Sequence, residues 1–175
     1  NVDAENEAEL KKLNGKVFEY KMQERGRHNL VETLKKSCLA PETLQLKVGA
    51  KVMFVKNNFE EGYVNGTLGI VTKCGFKEIK VRILSGDVID VEKESWRIEE
   101  EGKSKAEIIQ YPLRLAWAIT VHKSQGMSLD TAEIDLSNSF ERGMGYVALS
   151  RVRSLAGLFL KGLNNMALQV NEEVL

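Results

Sequence analysis

The chemically richest stretch of the chain is the ten-residue string Trp117-Ala-Ile-Thr-Val-His-Lys-Ser-Gln-Gly126. An apolar run leads into it, and its second half offers hydroxyl, imidazole, ammonium and amide groups. Such groups suit phosphate oxygens or base edges, and Gly126 would let the backbone approach a ligand closely. The simpler interpretation is a buried strand that ends in an ordinary polar loop. The candidate ligand-binding side chains are Thr120, His122, Lys123, Ser124 and Gln125.

A second string, Gly145-Tyr-Val-Ala-Leu-Ser-Arg-Val-Arg153, carries two arginines. At helical spacing, Arg151 shares a face with Met144, Val147 and Ala148. An arginine held by an apolar face needs an anionic partner, because an unpaired buried charge is costly. An internal salt bridge or a snorkelling side chain would explain the same pattern.

Charge is distributed unevenly along the chain. Lys and Arg together number 25, as do Asp and Glu, yet residues 108–129 and 142–171 contain no acid. Two acid-free stretches in a neutral protein indicate a local site for an anion. Buried strands and helices also exclude carboxylates, so charge alone favours that simpler explanation.

Composition excludes several other classes of protein. Of the 175 residues, 43% are hydrophobic and 29% are charged, which is typical of a globular chain. No apolar run approaches the ~20 residues of a membrane span. With only Cys38 and Cys74, neither a disulfide scaffold nor a cysteine-built metal site is expected, and we predict a cytoplasmic location.

The hydrophobic period divides the chain into three parts. Helical spacing predicts a helix from Asp3 to Gly15 and another from Asn29 to Pro41, with Glu32 completing a capping box. From residue 44 to residue 98 the period is two, with turns every 8–12 residues, as in a small β-barrel. Lysines alternate there, and we interpret them as a solvated face, although lysines beside aromatic residues could also follow a nucleic-acid strand.

The last part alternates strands and helices. Leu113–Val121 is nearly all apolar, as in a strand of a parallel sheet, and Thr131–Leu136 is expected beside it. A helix should begin at Ser139 or Glu141, followed by a strand at Leu158–Lys161. We therefore predict an α/β domain with a parallel sheet, formed by residues 1–43 and 107–175 and interrupted by an inserted barrel at residues 44–106.

Taken together in this order, the two strings resemble motifs V and VI of superfamily-1 DNA helicases. They are most similar to the RecD/Pif-like branch, whose members move 5′ to 3′ on single strands. The segments Leu46–Asn57 and Val64–Gly66 also resemble that branch, and Asn1–Asn6 resembles the end of motif IV. The resemblance implies a second RecA-like domain, of the P-loop NTPase type, with an inserted Src-homology-3-like barrel.

The same resemblance implies roles for individual residues. Arg151 would be the catalytic arginine that reaches the γ-phosphate of ATP, with Gln125 and Gly126 near the nucleotide. The side chains expected to contact DNA are Thr120, His122, Lys123 and Ser124. The implied partners are single-stranded DNA and a first RecA-like domain, which would bind most of the ATP and Mg²⁺; no metal ligand is expected in this chain.

The chain lacks a phosphate-binding loop. Gly102-Lys103-Ser104 is similar to the end of one, but Arg97 occupies the position of the required first glycine. We therefore expect a fragment, cut within motif IV, that does not hydrolyse ATP alone. The alternative is a non-enzymatic module that binds nucleic acid or protein through its barrel. A phosphate-binding loop encoded upstream of Asn1 would distinguish the two.

Overall fold

The computed structural model describes residues 2–170, which fall into two compact units joined between Ala118 and Ile119. Over the described residues, the first unit holds two α-helices and ten strands, and the second holds one α-helix, two strands and three short 3₁₀ helices. Among the described helices, none is long and apolar enough to span a bilayer.

The first unit is mainly β-structure. Its helices are α1 (Val2–Lys12) and α2 (His28–Ser37). Its strands are β1 (Phe18–Lys21), β2 (Gln23–Gly26), β3 (Thr43–Leu46), β4 (Lys51–Phe54), β5 (Leu68–Cys74), β6 (Ile79–Ile83), β7 (Val88–Asp90), β8 (Glu94–Glu100), β9 (Lys103–Gln110) and β10 (Leu113–Leu115).

The largest sheet has five antiparallel strands in the order β10-β4-β5-β6-β7. Its alternation confirms the predicted period of two. Ile79 and Val81 are buried, whereas Lys80 is half-buried and Arg82 is exposed. Phe54 is fully buried and stacks on Tyr63 with a ring-centroid distance of 4.1 Å. Within the described residues no pairing joins β7 back to β10, so the sheet is open and a closed barrel is not found.

The apolar run Leu113–Val121 differs from its prediction. Only Leu113–Leu115 is a strand, and it pairs antiparallel with β4 instead of lying beside Thr131–Leu136. The cause is Asn6, a buried residue of α1. Its Oδ1 accepts hydrogen bonds from the backbone N–H groups of Trp117 and Ala118, both at 3.0 Å, and its Nδ2 donates to the Ala118 carbonyl at 2.8 Å. Backbone groups that would continue a sheet are thus bound by a side chain.

A second sheet, in the order β2-β9-β8, packs against α2. Sequence periodicity missed β1, β2 and β9. The predicted capping box is also wrong, since α2 begins after Arg27 and has no side-chain cap. Lys35 ties this region together: its Nζ lies 2.7 Å from Glu24, 3.2 Å from Glu32 and 3.1 Å from Glu42.

The second unit is a small βαβ arrangement, which confirms the α/β character predicted for this part. Its parallel strands are β11 (Ala132–Leu136) and β12 (Leu158–Leu163), and α3 (Met144–Leu149) lies between them in sequence. The 3₁₀ helices are His122–Ser124, Leu155–Gly157 and Asn165–Leu168.

Helix α3 starts later than predicted. Gly143 precedes it with a φ of +82°, a conformation that breaks the helical path from Ser139 or Glu141. The predicted division of the chain at residues 43/44 and 106/107 stays a prediction.

Candidate functional site

The polar string forms a compact turn in the second unit. Ser124 donates its Oγ hydrogen to the Val121 carbonyl at 2.6 Å, and the backbone N–H of Lys123 donates to Thr120 Oγ1 at 3.2 Å. Ser124 is only 4% exposed. The hydroxyls of Thr120 and Ser124 therefore build the turn, and the flanking residues present the free polar groups.

Two of those side chains are exposed and a third is half-buried. His122 is exposed, and its Nε2 lies 3.4 Å from Glu141 Oε2. Gln125 is exposed, whereas Lys123 is half-buried and its ammonium forms no ion pair with any residue between 2 and 170. An uncompensated cation beside an imidazole and an amide suits an anionic ligand.

Gly126 closes the turn with a φ of +75°. A Cβ added there would have no atom within 4 Å, so the backbone conformation, not a close contact, requires glycine. Its neighbour Met127 is buried and anchors the loop in the unit.

A parallel bridge between Leu129 and Val152 joins the second string to the chain three residues beyond the first string. The N–H of Leu129 donates to the Arg151 carbonyl at 2.8 Å, and the N–H of Arg153 donates to the Leu129 carbonyl at 3.0 Å. Residues that are 23 positions apart in sequence are thereby fixed side by side. The sequence patterns alone gave no indication of this pairing.

Arg151 lies just beyond the end of α3, half-buried. Its Nε donates to the Val147 carbonyl at 3.0 Å, and a terminal nitrogen donates to Ser150 Oγ at 2.9 Å. Within residues 2–170 it forms no ion pair, so the internal salt bridge considered from the sequence is absent there. Arg153 differs, since it pairs with Asp130 at 2.8 Å.

Arg151, Thr120 and Ser124 line one cavity of about 110 Å³ in this unit. Glu133 and Asp135 lie on its wall as well. Hydrogen bonds from Ser137 lower the pKa of Asp135, which keeps that carboxylate ionised. The cavity thus combines a guanidinium with fixed negative charge, and the described residues contain no cluster of three or more side chains able to hold a metal ion.

Three lysines in the alternating strand region of the first unit are paired with acids. Lys56 binds Glu94 at 2.9 Å and Lys73 binds Glu78 at 2.6 Å. Lys80 binds Asp90 at 3.0 Å. These cations are therefore not part of the candidate site.

Comparison with known proteins identifies the family. Residues 29–74 match the family model described as DNA helicase Pif1, 2B domain. The ATP-dependent DNA helicase Pif1 of Psychrobacter sp. (strain PRwf-1) is 41% identical over 98% of this chain, which covers 34% of that protein. The chain spans about a third of the length of the curated relatives it matches.

Solved structures agree with the sequence relatives. The structure of unliganded Pif1 from Bacteroides sp. aligns with 99% of this chain, and the aligned part is 41% of the Bacteroides chain. The TM-score is 0.85 and the sequence identity is 31%. A Bacteroides Pif1 in complex with ADP-AlF3 and single-stranded DNA matches the same shares, with a TM-score of 0.70 and 32% identity. Fold and motifs together define a segment of superfamily-1 helicase type. More narrowly, the chain belongs to the Pif1 family.

Proposed function

We propose that this chain is the C-terminal motor segment of an ATP-dependent DNA helicase, containing the second RecA-like domain. The Leu129–Val152 bridge carries the proposal, because it holds the polar loop and Arg151 at one cavity. A site that couples ATP hydrolysis to movement on DNA needs a fixed connection between its nucleotide contact and its DNA contact.

Arg151 would serve as the arginine finger. Phosphoryl transfer builds charge on the equatorial oxygens, and a guanidinium placed there supplies about 10³–10⁵ in rate. Among residues 2–170 its guanidinium hydrogen-bonds only the Val147 carbonyl and the Ser150 hydroxyl, which an incoming phosphate can replace. Gln125 and Gly126 would lie near the nucleotide.

The same loop would contact single-stranded DNA. Lys123 offers a phosphate an ammonium that forms no ion pair with any residue between 2 and 170, and His122 offers an exposed ring. Thr120 and Ser124 would act mainly by holding the turn, because their hydroxyls are engaged within it. The Bacteroides Pif1 complex with ADP-AlF3 and single-stranded DNA supports both ligand classes.

The remaining assignments belong to the same proposal. Residues 1–43 and 107–175 would be the split RecA-like domain, and residues 44–106 the inserted Src-homology-3-like unit. A first RecA-like domain would bind ATP and Mg²⁺ and would face Arg151. We place the protein in the cytoplasm, since Cys38 and Cys74 are both free thiols.

The test uses this chain joined to its first RecA-like domain. Arg151→Lys keeps the charge but loses the planar fork, so DNA-stimulated ATP hydrolysis should fall by at least ~10², while nucleotide-free DNA affinity changes little. Arg153→Lys is the matched control, because its exposed pair with Asp130 contributes little and turnover should stay near normal. Near-normal turnover in Arg151→Lys would refute the catalytic role.

A further inference from the structure

An aromatic pair, Phe18 and Phe76, lies in the first unit at the turn between β5 and β6. Phe76, in the β5–β6 turn, is 85% exposed, and its ring packs edge-on against Phe18 with centroids 5.7 Å apart. Lys16 lies over both rings, with its Nζ 5.2 Å from the Phe18 centroid and 5.1 Å from the Phe76 centroid. We call Lys16, Phe18, Phe76 and Lys77 the Phe76 platform.

The platform is held in place by the fold. The Tyr20 hydroxyl donates to the Gly75 carbonyl at 2.7 Å, and the N–H of Gly75 donates to the Glu78 carbonyl at 2.9 Å. The turn is therefore tied to β1 on one side and closed on the other. Phe76 projects a large apolar ring into water from a fixed base, so a ligand can reach the ring without rearrangement of the turn.

Charge indicates which ligand. Neither Lys16 nor Lys77 forms an ion pair within residues 2–170, and both are exposed. The nearest acid in sequence, Glu78, is neutralised by Lys73 at 2.6 Å and Lys80 at 3.5 Å. The platform thus combines an exposed ring with two cations that form no ion pair among residues 2–170, a combination that suits single-stranded nucleic acid.

A second exposed phenylalanine of the same unit provides the contrast. Phe59 is 78% exposed in another turn, but Glu60 and Glu61 follow it directly. A polyanion would be repelled there. Phe59 and Phe76 are similarly exposed, but acidic residues follow Phe59 whereas lysines lie beside Phe76. This difference in charge is why we consider only Phe76 as a binding surface.

We propose that the Phe76 platform is a binding site for single-stranded DNA: a base stacks on the Phe76 ring, and the flanking phosphates contact Lys16 and Lys77. This inference rests on the proposed function for its ligand class, but it uses residues independent of the polar loop. Base stacking tolerates any sequence, so the site would bind without sequence preference.

The experiment measures binding of a labelled single-stranded oligonucleotide to this chain. Phe76→Ala should weaken the affinity about 5- to 150-fold, which corresponds to the ~1–3 kcal/mol of one stacked base. Phe59→Ala is the matched control and should change it less than about twofold. Lys16→Gln should reduce the dependence of log affinity on log salt by about 0.7.

A second measurement locates the contact directly. Irradiation of an oligonucleotide carrying one 5-iododeoxyuridine should crosslink the peptide that contains Phe76, and Phe76→Leu should abolish that crosslink. Tryptophan fluorescence of each variant checks that the unit stays folded. Unchanged affinity and no crosslink at Phe76 would overturn the inference and leave the platform as a protein contact.

Lys123→Ala separates the two proposals. If Lys123→Ala weakens binding and Phe76→Ala does not, the polar loop binds DNA and the platform is refuted. The reverse result supports the platform and refutes DNA binding by the loop. Equal sensitivity to Phe76→Ala with a relaxed, covalently closed circular duplex would overturn stacking, because all of its bases are paired and stacked inside the helix.

Discussion

Replacing Asn6 by alanine should destabilise the first unit strongly, although the residue has no catalytic chemistry. Its carboxamide makes three hydrogen bonds to the backbone of Trp117 and Ala118, at 2.8–3.0 Å, and it is 4% exposed. Alanine would leave two N–H groups and one carbonyl without that partner. Each unsatisfied buried group costs about 1–3 kcal/mol. Because Trp117 and Ala118 are only half-buried, water can reach some of these groups. We expect a loss of about 2–4 kcal/mol in the free energy of unfolding.

Urea denaturation followed by tryptophan fluorescence provides the assay. The two tryptophans of the chain, Trp96 and Trp117, both lie in the first unit and therefore report its unfolding. Asn6→Asp should be intermediate, because a carboxylate still accepts from both N–H groups but cannot donate to the Ala118 carbonyl. Glu5→Ala, an exposed change in the same helix, is the control and should stay within about 0.5 kcal/mol.

The refuting result is simple to recognise. If Asn6→Ala lowers stability by less than about 0.5 kcal/mol, the three hydrogen bonds are replaced by water at no cost. The hydrogen bonds of Asn6 would then not be the reason that β10 ends at Leu115.

Two further predictions concern pH and packing. Burial raises the pKa of Tyr20 to about 12, above its ordinary value, so the folded unit keeps that proton when the unfolded chain loses it. Its stabilising contribution is complete below about pH 10 and is lost as pH rises towards about 12; Tyr20→Phe should flatten this decline in urea midpoints, and an unchanged decline would contradict it. In the second unit, a Cβ on Gly145 would come within van der Waals overlap of the Ala167 carbonyl. Gly145→Ala should therefore cost about 1–3 kcal/mol, seen as faster amide hydrogen exchange in β11 and β12, and unchanged exchange would show that the chain relaxes freely.

Sequence patterns predicted the elements whose formation depends on residues that are close together in the chain. The alternation of Ile79, Lys80 and Val81 marks a half-buried strand, and the structure has one there. The two motif strings were likewise recognisable as contiguous runs of chemistry, and they lie together at one cavity.

Elements that depend on distant partners were not predicted. Strand β9 begins with exposed, charged residues and forms because it pairs with β8 and β2. The run after Leu113 is apolar enough for a long strand, but Asn6, 111 residues from Trp117, binds its backbone instead. The Leu129–Val152 bridge likewise joins residues whose sequence spacing carries no signal.

The cluster around Lys35 has an electrostatic consequence for the whole first unit. One ammonium there faces the carboxylates of Glu24, Glu32 and Glu42, so two negative charges remain uncompensated at that point. In a chain with a net charge of zero, this point therefore carries a local excess of negative charge. A polyanion diffusing towards the protein is pushed away from this corner, and small cations accumulate there. The cluster thus biases the side from which a polyanion approaches the protein before any specific contact forms. Raising the ionic strength screens these charges and removes that bias.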